Sequence, residues 1–383
     1  LLVFLDPPKP DAAHALRRLG QLGVRVKIVT GDSGVVAARV CTELGLADPV
    51  VLSGTEIDAM DDPALAAAIA RTTVFARVSP EQKARIVRVQ RRVGGDVAFL
   101  GDGVNDALAL HAADVGISVD SATDVAKDAA DVILLDKDLD VLADGVVEGR
   151  RIFANTIKYV LMGTSSNFGN MFSAAGASVF LKFLPMLPSQ ILLNNLLYDT
   201  SQLAIPTDTV DEEQLRRPSH WDIGFIRRFM LAFGPISSLF DFATFGVMLG
   251  VFHAHAAEFR TGWFVESLAT QTLVIFAIRT RRVPFYRSRP GLPLSLAALG
   301  TVALGALLPL TPLAHPLGFQ ALPATFYAAL LAMVLAYLVL VEAGKRWFYA
   351  HLPQQPTPRQ PVLRRVHRHH RRRAAFFSVV NPR

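Results

Sequence analysis

Two short polar segments of the sequence carry residue types suited to phosphate and magnesium chemistry. In Thr30-Gly31-Asp32, a hydroxyl precedes a glycine whose backbone would let N–H groups approach an anion closely. In the segment Gly101-Asp102-Gly103-Val104-Asn105-Asp106, the carboxylates of Asp102 and Asp106 lie four residues apart. Mg²⁺ is commonly bound by one or two carboxylates together with substrate oxygens. Each segment alone also fits an ordinary turn or a piece of a calcium loop, but their order and placement favour a phosphate and Mg²⁺ site.

A lysine at the start of a predicted helix supports the same chemistry. Ser79-Pro80-Glu81-Gln82 is typical of a helix start, with Ser79 as N-cap, Pro80 in the first turn and Gln82 closing a capping box. Lys83 follows in the first turn, where its positive charge opposes the helix dipole. A bound phosphate would offset that repulsion.

Short apolar runs alternate with helical patterns through the first 150 residues. This alternation predicts a parallel sheet with helices on both faces, and ligands of such sheets bind outside the carboxyl ends of the strands. The polar segments described above follow two of the predicted strands directly. The predicted strands are Val24–Thr30, Val97–Gly101, Val115–Val119 and Val132–Asp136, and the predicted helices are Asp11–Leu22, Gly34–Leu44, Pro80–Val93 and Asn105–Ala112.

Composition divides the chain into an acidic part and a basic, apolar part. Of 383 residues, 51% are hydrophobic and 19% are charged, which excludes a disordered chain. The single cysteine, Cys41, excludes an internal disulfide framework. Residues 1–150 carry 16 Lys and Arg against 23 Asp and Glu, and residues 151–383 carry 23 against 10. We therefore expect a soluble domain at 1–150, a membrane domain at 151–350 and a basic tail at 351–383.

Six apolar stretches of the second part predict transmembrane helices. They are Thr156–Phe183, Pro188–Ile205, Phe229–Val251, Trp263–Ile278, Leu292–Pro312 and Leu322–Val341. With the soluble domain in the cytoplasm, six spans return the tail to the cytoplasm. The predicted cytoplasmic loops then hold nine arginines, whereas the predicted outer loops hold only Lys182 and Arg260. This distribution satisfies the positive-inside rule.

Polar residues interrupt the first two predicted spans. Asn167 and Asn170 share one helix face, as do Asn195 and Asp199 on the next span. An Asp at the centre of a membrane helix costs about 2.5–3.5 kcal/mol, so it usually faces a partner or an ion pathway. Two such faces could enclose a divalent cation in oxygen ligands. The alternative is hydrogen bonding between closely packed helices.

Two further acids, Asp241 and Glu266, fall within later predicted spans. The sequence leaves open whether they form a structural pair or act as counter-ions or in regulation.

Taken in order, the motifs resemble those of P-type cation-transporting ATPases, and most closely the magnesium-transporting branch. The residues that carry this resemblance are Asp6-Pro7-Pro8-Lys9, Thr30-Gly31-Asp32, Ser79–Lys83 and Gly101–Asp106. The resemblance implies an α/β haloacid dehalogenase-like phosphorylation domain followed by an all-α membrane domain of six transmembrane helices. It also implies ATP and Mg²⁺ as cofactors, and Mg²⁺ as the transported ion.

The resemblance also implies roles for individual residues. Asp102 would hold the catalytic Mg²⁺, with Asp106 close by, while Asp6 and Asp32 would shape the hinge and nucleotide side of the site. The phosphoryl group would contact Thr30, Gly31, Lys83 and Asn105. The transported cation would bind at Asn167, Asn170, Asn195 and Asp199.

The sequence departs from the family pattern in one respect. The phosphorylated Asp-Lys-Thr-Gly-Thr motif, the nucleotide-binding domain and the actuator domain are absent from these residues. We therefore expect this chain to be the C-terminal part of a pump, inactive without an N-terminal half. The alternatives are a split or decayed remnant acting as a non-catalytic membrane subunit, and a pump for Ca²⁺ or a monovalent cation.

The two ends of the chain support this interpretation. Leu1–Leu5 is an apolar run typical of a buried strand, which suggests preceding sequence. The tail ends in an Arg- and His-rich stretch at residues 364–373, which fits a solvated segment or contact with anionic lipid head groups. Nothing else in the chain supports nucleic-acid binding. We expect a multi-pass protein of the cell membrane, and of a bacterial inner membrane in particular.

Overall fold

The computed structural model describes residues 11–351 except residues 47, 137 and 217. The described residues form two compact units, which divide after Val146. All described strands belong to the first unit, and the second is helical. The predicted order, an α/β part followed by a helical part with several long apolar helices, is confirmed.

Six short strands build the first unit. They are β1 (Ile28–Val29), β2 (Val51–Ser53), β3 (Val74–Ala76), β4 (Ala98–Leu100), β5 (Val115–Val119) and β6 (Val132–Leu134). In one parallel sheet β3 lies between β1 and β2, and in a second parallel sheet β5 lies between β4 and β6. The four predicted strands are therefore present, although three of them are shorter than expected.

The described strands form two parallel sheets, where the sequence pattern predicted one. Among the described residues, no ladder joins β1 to β4, so the strands form two sheets of three. Strands β2 and β3 were not predicted. The apolar runs there, residues 50–52 and 74–76, have only three residues each, whereas every predicted strand covers a stretch of five or more residues.

The helices of the first unit pack beside these sheets. They are α1 (Ala12–Gln21), α2 (Gly34–Glu43), α3 (Gly54–Asp58), α4 (Asp62–Arg71), α5 (Pro80–Val93), α6 (Ala107–Ala112) and α7 (Asp124–Asp128). The four predicted helices are found within two residues at each end, while α3, α4 and α7 were not predicted. A single turn of 3₁₀ helix, Val104–Asp106, precedes α6.

The predicted start of α5 is confirmed in its hydrogen bonds. Gln82 N donates to Ser79 Oγ (3.3 Å), and Ser79 N donates to Gln82 Oε1 (2.9 Å). The two bonds form the capping box, and Pro80 occupies the first turn. Gln82 Nε2 also donates to the Gly54 carbonyl (3.0 Å), so the start of α5 is tied to α3. These contacts fix the direction in which the first turn of α5 presents Lys83.

The second unit is built from long helices. The helices from residue 139 onward are α8 (Leu139–Phe180), α9 (Pro188–Gln202), α10 (Glu212–Leu215), α11 (Ile223–Gly246), α12 (Ala256–Leu273), α13 (Ile275–Ile278), α14 (Leu292–Leu307) and α15 (Ala324–Ala350). A π-helical turn, Val247–Val251, extends α11. Helix α13 follows directly after α12.

Among the described residues, four helices are long and apolar enough to cross a membrane. They are Ile223–Val251, Ala256–Ile278, Leu292–Leu310 and Ala324–Ala350. The other two predicted spans fall on α8 and α9, which contain the asparagines and the aspartate singled out above, and α9 has only 15 residues. The described residues thus contain four candidate spans, and the full count of six stays a prediction.

Helix α12 forms the centre of the second unit. In the most apolar 18-residue stretch of the span that contains α12, 89% is buried inside the protein. The corresponding stretches of the other three candidate spans are 28–39% buried. Close approach of α8 and α11 depends on small residues, because a Cβ at Gly169 would lie 3.0 Å from the Gly234 carbonyl oxygen. Small residues at such positions are typical of closely packed membrane helices.

A buried polar cluster lies where loops join the helices of the second unit. Asp208 accepts hydrogen bonds at Oδ2 from Lys158 Nζ and Arg279 Nε, both at 2.8 Å, and at Oδ1 from Gly291 N (3.0 Å). The Asp208 side chain is fully buried, and that of Arg279 is 1% exposed. We call these residues, Lys158, Asp208 and Arg279, the loop cluster. It joins α8 to the segments that follow α9 and α13.

Candidate phosphate and cation sites

Lys83 and Asp106 form a largely buried ion pair in the first unit. Lys83 Nζ donates to Asp106 Oδ1 (2.8 Å), and the two side chains are 11% and 14% exposed. Lys83 comes from the first turn of α5, and Asp106 ends the 3₁₀ turn that follows β4. The charge of Lys83, which the sequence suggested a phosphate would balance, is thus balanced by a carboxylate.

The loop around Asp106 is tightly held. Gly103 N donates to Asp106 Oδ2 (3.2 Å), and Ser118 Oγ of β5 donates to the Gly101 carbonyl (2.9 Å). A Cβ at Gly101 would lie 2.5 Å from the Asp106 Cβ. Gly101 is therefore required by the close approach of Asp106. Ser118 was not singled out from the sequence, because a serine within an apolar strand gives no signal of its own.

We expect Gly101→Ala to displace Asp106 and to lower the free energy of unfolding by about 1–3 kcal/mol, the usual cost of overpacking. Denaturant unfolding of the purified chain measures this. Gly145→Ala is the matched control, because its Cβ would meet nothing within 4 Å and alanine is the better helix residue. Equal stability of the two variants would contradict the tight contact.

Thr30, Gly31 and Asp32 form a turn at the carboxyl end of β1. Asp32 N donates to Thr30 Oγ1 (3.0 Å), and Thr30 Oγ1 donates to Asp32 Oδ2 (2.9 Å). Gly31 and Asp32 are exposed. The turn therefore presents backbone and carboxylate groups to solvent at a strand end, where a ligand of a parallel sheet is expected.

Backbone hydrogen bonds connect this turn to the segment that precedes Lys83. Val78 N donates to the Thr30 carbonyl (3.2 Å), and Arg77 N donates to the Asp32 carbonyl (2.9 Å). Ser79 follows at once and caps α5. The structure thus places the Thr30–Asp32 turn and the start of α5 side by side, as the order of motifs predicted.

Asp102 lines a cleft at the carboxyl ends of the second sheet. The cleft has a volume of about 400 Å³, and its walls are formed by Leu100, Gly101, Asp102, Val119, Leu134, Asp138 and Leu139. The Asp102 residue is exposed, and its carbonyl accepts a hydrogen bond from Thr123 N (3.1 Å). Asp138 was not predicted to belong to a site.

The donor set at this end of the sheet fits a magnesium ion. Asp102 is exposed beside the cleft, and Asp106 stands four residues further on, although one of its oxygens is paired with Lys83. Among the described residues, no three His, Cys, Asp or Glu side chains group closely enough to hold a metal. Two carboxylates that leave positions for water and phosphate oxygens suit Mg²⁺ better than a metal that needs a full protein cage. Asn105 is exposed on the same loop, and Asp6 lies outside the described residues.

The four predicted ligands of the transported cation do not form one cluster within the described residues. Asn170 is half-buried and its Oδ1 accepts a hydrogen bond from Ser267 Oγ of α12 (3.4 Å). Asn167 on α8 is exposed, as are Asn195 and Asp199 on α9. Asn195 and Asp199 do share a face, as predicted, but no described residue covers it.

The side of α9 that packs inward carries residues that the sequence did not single out. Asn194 is buried, and its Nδ2 donates to the Phe264 carbonyl of α12 (3.3 Å). Tyr198 is also buried, and its hydroxyl donates to Ser166 Oγ of α8 (3.2 Å). Hydrogen bonding between packed helices, the alternative considered above, therefore accounts for these two residues, while Asn195 and Asp199 remain available to a ligand.

Two family models match the chain. Residues 1–114 match the haloacid dehalogenase-like hydrolases, and residues 183–347 match the C-terminus of cation-transporting ATPases. The parallel sheets with acidic loops at their carboxyl ends and the apolar helices agree with both matches. The chain thus combines a haloacid dehalogenase-like domain with the membrane domain of a cation-transporting ATPase.

Individual relatives narrow this class. The chain is 52% identical to the magnesium-transporting ATPase, P-type 1, of Salmonella typhimurium (strain 14028s / SGSC 2262) and 51% identical to that of Escherichia coli (strain K12), each over 351 residues, or 91% of the chain. It is 38% identical to calcium-transporting ATPase 1 of Bacillus cereus over 57% of the chain and 25% of that relative. The chain belongs to the P-type cation-transporting ATPases and spans 39% of the length of the magnesium-transporting relatives.

Proposed function

We propose that this chain supplies the C-terminal part of an ATP-driven magnesium pump of a bacterial inner membrane. The observation that carries the proposal is the 52% identity to a magnesium-transporting relative across both units. In the pump, formation and hydrolysis of an aspartyl phosphate would drive Mg²⁺ across the membrane. ATP would bind mainly to the N-terminal segment that this chain does not contain.

In the soluble unit, Lys83 would supply the positive charge on the transferred phosphoryl group. Phosphoryl transfer depends on positioning and on charge that stabilises the equatorial oxygens, and bound Mg²⁺ supplies further positive charge. Thr30 and Gly31 would donate hydrogen bonds from the neighbouring turn, with Asp32 shaping its nucleotide side. Asn105 would contact the phosphoryl group from the loop that follows β4.

The carboxylates of the same edge would hold the metal. Asp102 is an exposed acid that lines the cleft, and Asp106, four residues further on, is held by Lys83 and by Gly103 N. The 383 residues contain no Asp-Lys-Thr-Gly-Thr, so the acceptor carboxylate would come from the N-terminal segment. We therefore expect the isolated chain not to hydrolyse ATP.

In the membrane unit, α8 and α9 would complete a set of six spans. With the soluble unit and the tail on the cytoplasmic side, the arginine-rich loops also lie on that side, as the positive-inside rule requires. The exposed face of α9 with Asn195 and Asp199 would meet helices of the N-terminal segment, and Asn167 and Asn170 would complete the site from α8. Residues 352–383, which lie outside the described residues, would contact anionic lipid through their arginines.

Asp199→Asn in the full-length pump should reduce Mg²⁺ uptake at least tenfold, because the only carboxylate among the four proposed ligands loses its charge. Uptake by proteoliposomes with a magnesium-sensitive dye inside measures this. Thr200→Val is the control, since Thr200 is exposed next to Asp199 and its hydroxyl bonds within its own helix. Normal uptake by Asp199→Asn would remove this residue from the pathway.

A second candidate function is that of a non-catalytic membrane subunit or remnant. The sequence directly upstream distinguishes the two: a reading frame with Asp-Lys-Thr-Gly-Thr supports the pump, and its absence supports the remnant.

The 38% identity to a calcium-transporting relative supports Ca²⁺ as an alternative transported ion. Stimulation of the complete ATPase by Mg²⁺, Ca²⁺ or a monovalent cation identifies the ion.

A further inference from the structure

Two acids lie together at the centre of the second unit, away from the four proposed cation ligands. Asp241 on α11 is 1% exposed, and Glu266 on α12 is fully buried. Trp263, whose indole N–H donates to Asp241, lies three residues before Glu266 on α12, so Glu266 shares the helix face that contacts Asp241. Neither forms an ion pair with a described lysine, arginine or histidine. Two buried carboxylates without a cation are strongly unfavourable, so the pair must hold a positive charge of some kind.

The surroundings of Asp241 favour its ionised form. Ser173 Oγ of α8 donates to Asp241 Oδ2 (2.6 Å), and Trp263 Nε1 of α12 donates to Asp241 Oδ1 (2.7 Å). Both oxygens of Asp241 therefore accept hydrogen bonds, as a carboxylate does. An indole N–H can only donate, so Oδ1 has to be an acceptor.

Glu266 has the opposite environment. Neither of its carboxyl oxygens has a hydrogen-bond partner among the described residues, although both are completely buried. A charge there would be desolvated and uncompensated, whereas a carboxylic acid would be neutral and could donate to Asp241. Glu266 is thus an unpartnered, buried carboxyl group on the face of α12 that contacts Asp241, and a positive charge bound there would compensate it.

The other titratable groups that the described residues bring near the pair are phenols, which cannot carry a positive charge. Tyr337 of α15 interacts with both acids, and Tyr198 of α9 lies within range of Tyr337. Helix α14, which also packs on α12, has no titratable residue. The charge held by the pair therefore comes from outside the protein. A proton suits the site, because a divalent ion needs six or more oxygens and here two of the four carboxyl oxygens already accept hydrogen bonds.

We propose that Asp241 and Glu266 form a proton-binding site, with the proton on Glu266 shared toward Asp241, and that its occupancy depends on the position of α8. Ser173, the donor to Asp241, follows Asn170 by three residues on α8, about one turn. Movement of α8 on cation binding at Asn170 would change the bond to Asp241 and release or take up the proton. This second step rests on the proposed function, and the proton site itself does not.

Infrared spectroscopy of the 383-residue chain in lipid nanodiscs tests the proton site without ATP or Mg²⁺. We expect a carboxylic-acid C=O stretch at neutral pH that shifts in D₂O and is lost in Glu266→Gln, which has nearly the shape of the protonated acid. Glu258→Gln on the same helix is the control, because Glu258 caps the start of α12 and accepts a bond from His255 N. An unchanged spectrum in folded Glu266→Gln would overturn the proposal.

Addition of Mg²⁺ to the full-length pump tests the link to α8. We expect the Glu266-dependent band to change in intensity as the cation binds, and Ser173→Ala to alter this change while the variant still binds Mg²⁺. A constant band during measured Mg²⁺ binding would overturn the link. Loss of the band by direct displacement, with Mg²⁺ binding abolished in Glu266→Gln, would make the pair a metal site instead. Absence of Mg²⁺ binding by the wild type would contradict the proposed function but leave the first test intact.

Discussion

Lys83→Met should lower the ATPase activity of the full-length pump by about 10²–10³-fold, the usual effect of removing one group that stabilises transition-state charge. Lys83 is a largely buried cation near the carboxyl ends of the strands, held by the capped start of α5 and by Asp106. Methionine keeps most of the length and apolar character of the side chain. The variant therefore removes the charge with little change of volume. Phosphate release at saturating ATP and Mg²⁺ measures the effect.

The same substitution should also destabilise the first unit, because it leaves the Asp106 carboxylate largely buried without its partner. Breaking such a pair on one side is more costly than removing both charges. The double variant Lys83→Met with Asp106→Asn should therefore regain stability but not activity. Because Asp106 is itself a proposed metal ligand, the double variant reports only on stability. The role of Lys83 in phosphoryl transfer is measured by the activity of Lys83→Met, which keeps Asp106.

Lys127→Met is the matched control for Lys83→Met. Lys127 belongs to the same unit, but its side chain is 28% exposed and its ammonium lies 3.9 Å from Asp120. Exposed pairs of this kind contribute about 0–1 kcal/mol. We expect normal activity from Lys127→Met. Activity of Lys83→Met within twofold of the wild type would contradict a catalytic role for Lys83.

The elements that carry the soluble site could be predicted from the sequence because their signals are local. The capping box at Ser79 and Gln82 fixes the start of α5, and the loop after β4 follows a compact apolar run. The partner of Lys83 could not be predicted, since Asp106 is 23 residues away and reaches it only through the packing of α5 against the Val104–Asp106 turn. The short strands β2 and β3 give too little pattern to detect.

In the membrane unit, the sequence identified polar positions but not their directions. Asn194 and Asn195 are neighbours in an otherwise similar context, and helix packing alone determines that Asn194 contacts α12 while Asn195 stays exposed. Likewise, Asp241 and Glu266 could be either a structural pair or a counter-ion site. Only the donors to Asp241, and the lack of any to Glu266, distinguish the two acids.

Arg279→Met should lower the free energy of unfolding of the second unit by about 3–5 kcal/mol, the cost of breaking a buried ion pair on one side. Arg279 donates to Asp208 Oδ2, and its remaining N–H groups donate to oxygens of Thr209, Ser288 and Arg289. Methionine satisfies none of these acceptors. Lys158 would be left as the only side-chain partner of Asp208.

The ionisation of Asp208 gives the loop cluster a pH dependence. Burial alone would raise the pKa of Asp208, but hydrogen bonds from Arg279, Lys158 and Gly291 N outweigh it and hold the pKa below its usual range. The stabilising effect of this carboxylate is therefore present above the pKa of the unfolded chain and is lost as the pH falls through the lower pKa of the folded state. Because Arg279→Met removes one of the two positively charged donors to Asp208, the variant should lose stability at a higher pH than the wild type.

Denaturant titration in detergent, followed by tryptophan fluorescence at several pH values, measures both effects. Arg287→Met is the matched control, since Arg287 is exposed in the same segment and its loss should change stability by no more than about 0.5 kcal/mol. Arg279→Lys should give an intermediate loss, because an ammonium keeps the charge but cannot reach all the acceptors of a guanidinium. A loss for Arg279→Met as small as that for Arg287→Met would show that Lys158 and Gly291 N alone are sufficient to hold the buried Asp208 carboxylate.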